Sequence, residues 1–196
     1  MVSGKLPSLS LSLSDGTKLT LLRVWIQDRE LSDNLEEALS IQGVPFLVRK
    51  IMLMANVTEI VQETTNADGV KGIVVTKAAA GLNGQADAFD GTGKEVVMGG
   101  GYFGTEVRVR SWWVASREDN KNPATGEPLD PYLFQDWIAG EERHFAGSGE
   151  KAGVKDNMFW GFCDIGGKRY RAVKYYIRKG EQEIRARLVF GWIGKE

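Results

Sequence analysis

The sequence predicts an all-β fold, an antiparallel up-and-down barrel, on three observations. Short runs rich in β-branched and aromatic residues are separated by glycine-bearing turns at roughly 8–12-residue spacing. Glycine accounts for 24 of the 196 residues and proline for only 5, a balance that suits tight turns between strands. In the first half the helical period appears clearly only once, over Ser32–Ala55. Consecutive hairpins make a meander, and closing the meander into a barrel removes its exposed edges. A chain of this length forms one domain, residues 1–196.

The elements follow in order. Leu9, Leu11 and Leu13 alternate with Ser8, Ser10, Ser12 and Ser14, the period of a strand. Asp15-Gly16 supplies a hairpin turn and Lys18–Trp25 a second strand. Asp33 and Glu36 then stand as N-cap and N3 of a capping-box variant. Leu35, Ala38 and Leu39 share one helix face, and Gly43 ends that helix. Pro45 opens a second helix that carries Leu47, Ile51 and Met54 on one stripe. Strand-like runs follow at Val57–Glu63, Val70–Ala78, Gly81–Gly84, around Phe89, at Lys94–Met98 and at Tyr102–Val114. Ser116–Pro131 is polar and holds three of the five prolines, the composition of a long loop. Asp130-Pro131 caps a short helix at Tyr132–Ala139. The chain ends in strands at Asn157–Ile165, Lys168–Ile177 and Glu183–Trp192, joined by Gly166-Gly167 and Lys179-Gly180.

Composition excludes several function classes. The 25 basic and 26 acidic side chains give a net charge of −1, without the basic excess of a nucleic-acid platform. One cysteine, Cys163, allows no internal disulfide framework and no cysteine pair for zinc, and one histidine, His144, allows no His-rich metal site, so no metal is expected. Cys163, within a strand, reads as packing. No apolar run has the length of a signal peptide or a spanning helix, so the expectation is a cytoplasmic protein without membrane insertion. The Asn56-Val57-Thr58 sequon then has no secretory context. Gly99–Gly104 fits G-x-G-x-x-G, but the dinucleotide fingerprint needs a helix after it, and Thr105–Val114 alternates as a strand. It reads as a glycine bulge or barrel corner, and no cofactor is expected. No serine elbow, HExxH motif, P-loop or recognisable catalytic carboxylate pair is present.

The stretch Asn34-Leu35-Glu36-Glu37-Ala38-Leu39, Gly43-Val44-Pro45-Phe46 and Arg49-Lys50 resembles the intracellular fatty-acid-binding protein family. That family opens with a strand, a helix-turn-helix and a run of meander strands. The whole chain is also similar to small fungal proteins of lipocalin-like, or calycin, fold, some of which are cyclases of natural-product pathways. The resemblance implies a calycin-like barrel around a small hydrophobic ligand. The lipid-binding family ends with an Arg-x-Tyr pair, whereas the last strand here offers Arg185, Arg187 and Phe190. The stretch Ser116–Gly149 is an addition to that family's pattern.

Candidate site residues come from the alternation of the later strands. Glu106, Arg108, Arg110 and Trp112 share one face, and Val107, Val109, Ser111 and Trp113 the other. One reading puts the charges in water. The other puts Arg108 and Arg110 inside a hydrated cavity, where they hold an oxygen-rich ligand or stabilise developing negative charge. On the second reading Arg110 is the polar anchor and Trp112 a wall, with Trp160, Tyr170 and Phe190 as further ligand-binding residues. If the insertion folds over the mouth as a helical lid, its stripe Phe134, Trp137 and Ile138 shields the ligand and His144 serves as acid or base. The expected function is cofactor-free isomerisation or cyclisation of a small, largely apolar molecule. The alternatives are passive carriage of a lipid or metabolite, and a filled barrel that works through protein partners.

Overall fold

Ten antiparallel strands form one sheet in a computed structural model that describes residues 18–79, 82–99, 106–115, 119–140 and 144–194. In chain order these are β1 (Lys18–Asp33), α1 (Leu35–Ile41), α2 (Phe46–Met54), β2 (Val57–Thr65), β3 (Lys71–Ala79), β4 (Leu82–Phe89), β5 (Thr92–Met98), β6 (Val107–Val114), β7 (His144–Lys151), β8 (Val154–Ile165), β9 (Lys168–Lys179) and β10 (Gln182–Gly194). The sheet order is β4-β3-β2-β1-β10-β9-β8-β7-β6-β5. Consecutive strands pair as in a meander, and the ladder between β1 and β10 wraps the sheet into a nearly closed barrel. β4 and β5 stand at the two ends of the sheet. The expected barrel is therefore present. The Leu9–Leu13 strand and most of Gly99–Gly104 lie outside the described residues.

Register shows which residues face inward. Trp160 pairs with Phe145 and Val173, Phe190 with Arg171 and Gln27, and Trp113 with Phe145. These positions converge in one buried cluster that includes Trp25, Ile73, Val75, Phe89, Val109, Phe145, Trp160, Val173 and Phe190. Its members come from eight strands, so the cluster is the barrel interior. The alternate residues of β6–β9 face outward, and they too are buried over much of their length. Trp112, Val114, Ala146, Phe159, Cys163, Ala172 and Tyr176 form a second cluster with Leu129, Leu133 and Trp137 of the inserted segment. α1 closes one end by setting Ala38 and Ile41 against Val154, Ile177 and Ala186.

The insertion is a brace on the outer wall, and this corrects the expected helical lid. The expected helix at Tyr132–Ala139 is a single 3-10 turn, Pro131–Phe134. Asp130 caps it by accepting from the Tyr132 N–H. The chain then leaves helical geometry, with Gln135 extended and Asp136 at φ 58°. That break turns Trp137 onto the outer wall of the sheet, where its indole donates to the Leu133 carbonyl at 2.7 Å. Phe134 and Trp137 then pack on Phe159, with ring centroids 5.0 and 6.2 Å away. Lys174, on the outward phase of β9, ties the segment down by donating to the carbonyls of Gln135 (2.6 Å) and Tyr132 (3.3 Å). Burial pushes its pKa below the usual lysine value, against the pull of Asp136.

Two smaller expectations also change. Asp33 does not cap α1. It ends β1 and pairs with Arg187 at 3.0 Å, while Asn34 takes the N-cap position in the left-handed region (φ 55°). His144–Gly149, read as part of the insertion, belongs to strand β7.

Leu133 is fully buried between brace and wall. Leu133→Ala leaves a cavity there and is expected to cost about 3 kcal/mol, which thermal denaturation would record as a melting point lower by roughly 6–12 °C. An unchanged melting point would mean that the segment contributes no stability as a brace.

Candidate active site

The barrel interior combines aromatic walls with a compact set of polar groups. Phe89 meets Trp160 edge-on at 4.9 Å, and Phe145 stacks on Trp160 at 5.3 Å. Trp25 and Phe162 lie 5.8 Å apart. Among these rings Arg171 of β9 pairs with Glu59 of β2 at 2.7 Å, both almost fully buried. Its guanidinium also lies 4.7 Å from the Phe190 ring centroid and 5.8 Å from that of Trp160, within cation–π range. Lys77 of β3 pairs with Asp87 of β4 at 3.7 Å. Burial pulls the Lys77 pKa down, but Glu59, Tyr175 and Asp87 together outweigh it, and the ammonium ends above its ordinary value. Burial pushes the Tyr175 phenol up to about 12, so it stays a neutral donor.

Local sequence explains each placement. Arg171 is in phase with Val173 and Tyr175, Lys77 with Ile73 and Val75, Asp87 with Phe89, and Glu59 with Val61. Each is therefore carried inward by the same alternation that buries its apolar neighbours. A charge on the apolar phase of a strand was the signal in the sequence. The pairing across the barrel was not legible, because Glu59 and Arg171 lie 112 residues apart.

Of the seven candidate site residues, Trp160 and Phe190 line the interior. The face of β6 runs opposite to the expectation, since Val107, Val109, Ser111 and Trp113 point inward. Arg108 and Arg110 lie on the outer wall, paired with Glu95 of β5 at 4.0 and 2.9 Å. Trp112 and Tyr170 face outward into the cluster beneath the brace. His144 is buried there as well, its ring 5.3 Å from those of Trp137 and Phe159. Gly161 makes room for that stack, because a Cβ there would come within 2.5 Å of His144 Nδ1 and 2.8 Å of Trp137. Arg110 and His144 therefore stand on the far side of the sheet from the interior rings. The physical reason is that outward charges meet water, while the interior draws its own charges from other strands.

The outer wall carries a polar groove of about 120 Å³ between Arg108, Arg110, Asn122, Glu127, Lys155 and Arg178. Asp156 of β8, in phase with Met158 and Trp160, points to the interior side of the sheet, near the end of the barrel that α1 covers. Burial raises the Asp156 carboxyl from 3.8 to about 6, against the Gly149 N–H that it accepts from.

Comparison with known proteins finds two similar chains, both named as pericyclases. The chain is 27% identical over 180 residues to the probable pericyclase scpY of Mollisia scopiformis, covering 88% of this chain and 89% of that protein. It is 25% identical over 176 residues to the pericyclase pydY of an Acremonium species, covering 87% and 90%. No family model matches the chain, and no solved structure matches it. No helix among the described residues is long and apolar enough to cross a membrane.

The raised Asp156 pKa has a signed consequence. The folded protein holds this proton more tightly than the unfolded chain, so the stability it contributes is full below about pH 4 and is lost as pH rises through about 6. Asp156→Asn keeps the acceptor for the Gly149 N–H and removes the titration. The variant is expected to lose less stability than the parent between pH 4 and 7 in denaturant melts. Parallel profiles would show that Asp156 titrates normally.

Proposed function

We propose that the protein is a cofactor-free pericyclase of cytoplasmic natural-product biosynthesis, cyclising a small, largely apolar substrate inside the barrel. The observation that carries the reading is the likeness to two proteins named as pericyclases, which spans nearly the full length of both chains. The interior supplies a matching chemistry. A pericyclic ring closure moves bonding electrons around one cycle: π bonds are consumed, σ bonds form, and no proton, electron or leaving group is exchanged. Such a step asks for two things from a protein. The first is a substrate held in its folded, reactive shape, which prepays orientation entropy. Rigid faces such as Phe89, Phe145 and Trp160, locked by edge-on and stacked contacts, suit that task. The second is polarisation of the reacting π system by fixed donors in a water-poor site. Buried N–H groups of Trp160 and Arg171 suit that one.

The reading is tested by incubating the purified protein with linear polyenes that carry a conjugated diene and a carbonyl-activated alkene on one chain. The expected result is a product of unchanged mass and altered retention, formed faster than in buffer, with one diastereomer enriched and with no added cofactor. Trp160→Ala is expected to lower the rate by at least tenfold, as orientation effects of this kind are lost. A polyene that quenches tryptophan fluorescence saturably, yet cyclises at the buffer rate, would make the protein a carrier.

A further inference from the structure

Three hydrogen-bond donors in the barrel interior lack a partner: Gln27 Nε2, Trp160 Nε1 and Arg171 Nη2. All three residues are more than nine-tenths buried. They are also neighbours on one stretch of wall. Gln27 pairs in register with Phe190, Phe190 pairs with Arg171, and the Arg171 guanidinium lies against the rings of Phe190 and Trp160. Buried donors are nearly always satisfied in folded proteins, so orphans gathered in one place mark a position where acceptor atoms belong.

Charge decides which kind of acceptor. Arg171 is already neutralised by Glu59, and Lys77 by Asp87. In these two pairs two cations face two carboxylates, Asp156 adds a third acid on the inward phase of β8, and the wall offers N–H groups without surplus positive charge. A carboxylate placed there would be a further anion near Glu59, desolvated and without a counter-ion. An uncharged carbonyl oxygen brings lone pairs and no such penalty.

We infer that Gln27, Trp160 and Arg171 bind the uncharged carbonyl head of the substrate, an amide, lactam or ketone, and select against carboxylic acids. The inference rests on the interior being the substrate site of the pericyclase reading, and it deepens that reading. Hydrogen bonds to a carbonyl conjugated with the reacting alkene withdraw electron density from it, so the groups that recognise the substrate also activate it.

The test compares two probes that differ in the head group, decanamide and decanoate, titrated calorimetrically at pH 7.5. Decanamide is expected to bind at least tenfold more tightly. Gln27→Met and Trp160→Phe conserve much of the side-chain volume and remove the donors. Each is expected to weaken decanamide about fivefold to tenfold and to leave decanoate unchanged. With 13C-carbonyl decanamide, the infrared carbonyl band is expected to shift to lower frequency on binding, and the shift is expected to shrink in Trp160→Phe. A change in packing alone would not move that band selectively. Equal or tighter binding of decanoate overturns the inference, as does the absence of saturable binding of either probe to the folded protein, or variants that bind decanamide like the parent. A reversed head-group preference in a protein that still cyclises polyenes overturns this inference and leaves the pericyclase reading standing. Tight decanamide binding without cyclisation of any polyene supports this inference and removes the other.

Discussion

The strands β6 to β9 are buried on both faces over much of their length, and much else follows from that constraint. A sheet in a barrel with one wet face needs only one apolar phase. Here the interior cluster occupies one phase and the braced outer wall the other. Phe159 and Trp160 are adjacent in sequence and both buried, one on each side of the sheet. The brace is thus a second hydrophobic layer, and Lys174 is its fastening: a long side chain that delivers its charge to backbone carbonyls which the irregular chain cannot satisfy with a ladder.

The interior has an electrostatic logic of its own. Burying Arg171 is tolerable because Glu59 comes with it, and breaking such a pair leaves an uncompensated charge. Because the partners sit on different strands, β2 and β9, the pair also ties two separate parts of the wall together across the interior. Polar groups held this way cannot reorganise freely, which is the property that electrostatic preorganisation requires. On the pericyclase reading proposed above, this interior would shape and polarise a substrate without exchanging protons with it.

The barrel was legible in the sequence because turns and alternation are local. Asn66-Ala67-Asp68-Gly69 and Gly166-Gly167 each end one strand and start the next. The helix pair was legible for the same reason, down to Gly43 in its positive-φ turn. Which face of β6 points inward was not, because V-R-V-R-S-W-W-V is polar on one phase at its start and apolar on both at its end. Choosing between phases needs the brace, which covers Trp112 and leaves Arg108 in water. His144 misled in a related way: a lone imidazole beyond a predicted helix becomes a stacked ring beneath Trp137 only when that helix breaks at Asp136. The site residues that the sequence reading passed over, Glu59, Lys77, Asp87 and Arg171, each carry a local mark of wrong polarity for their phase, but their meeting is a property of the closed sheet.

The sheet's two edges give the barrel a seam. Among the described residues no ladder joins β4 to β5. At one end side chains bridge the break: Trp113 Nε1 donates to the Lys71 carbonyl at 2.7 Å, and the Gly91 N–H donates to Ser111 Oγ at 3.0 Å. Gly91 is required there, because any Cβ would run into that same Lys71 carbonyl. A continuous barrel has a fixed circumference, set by its hydrogen-bonded ladders. This one is closer to a split ring held by a clasp. No ladder sets the spacing of β4 and β5, so the circumference there rests on the two-residue link Asp90-Gly91 and on those side-chain contacts, not on strand pairing.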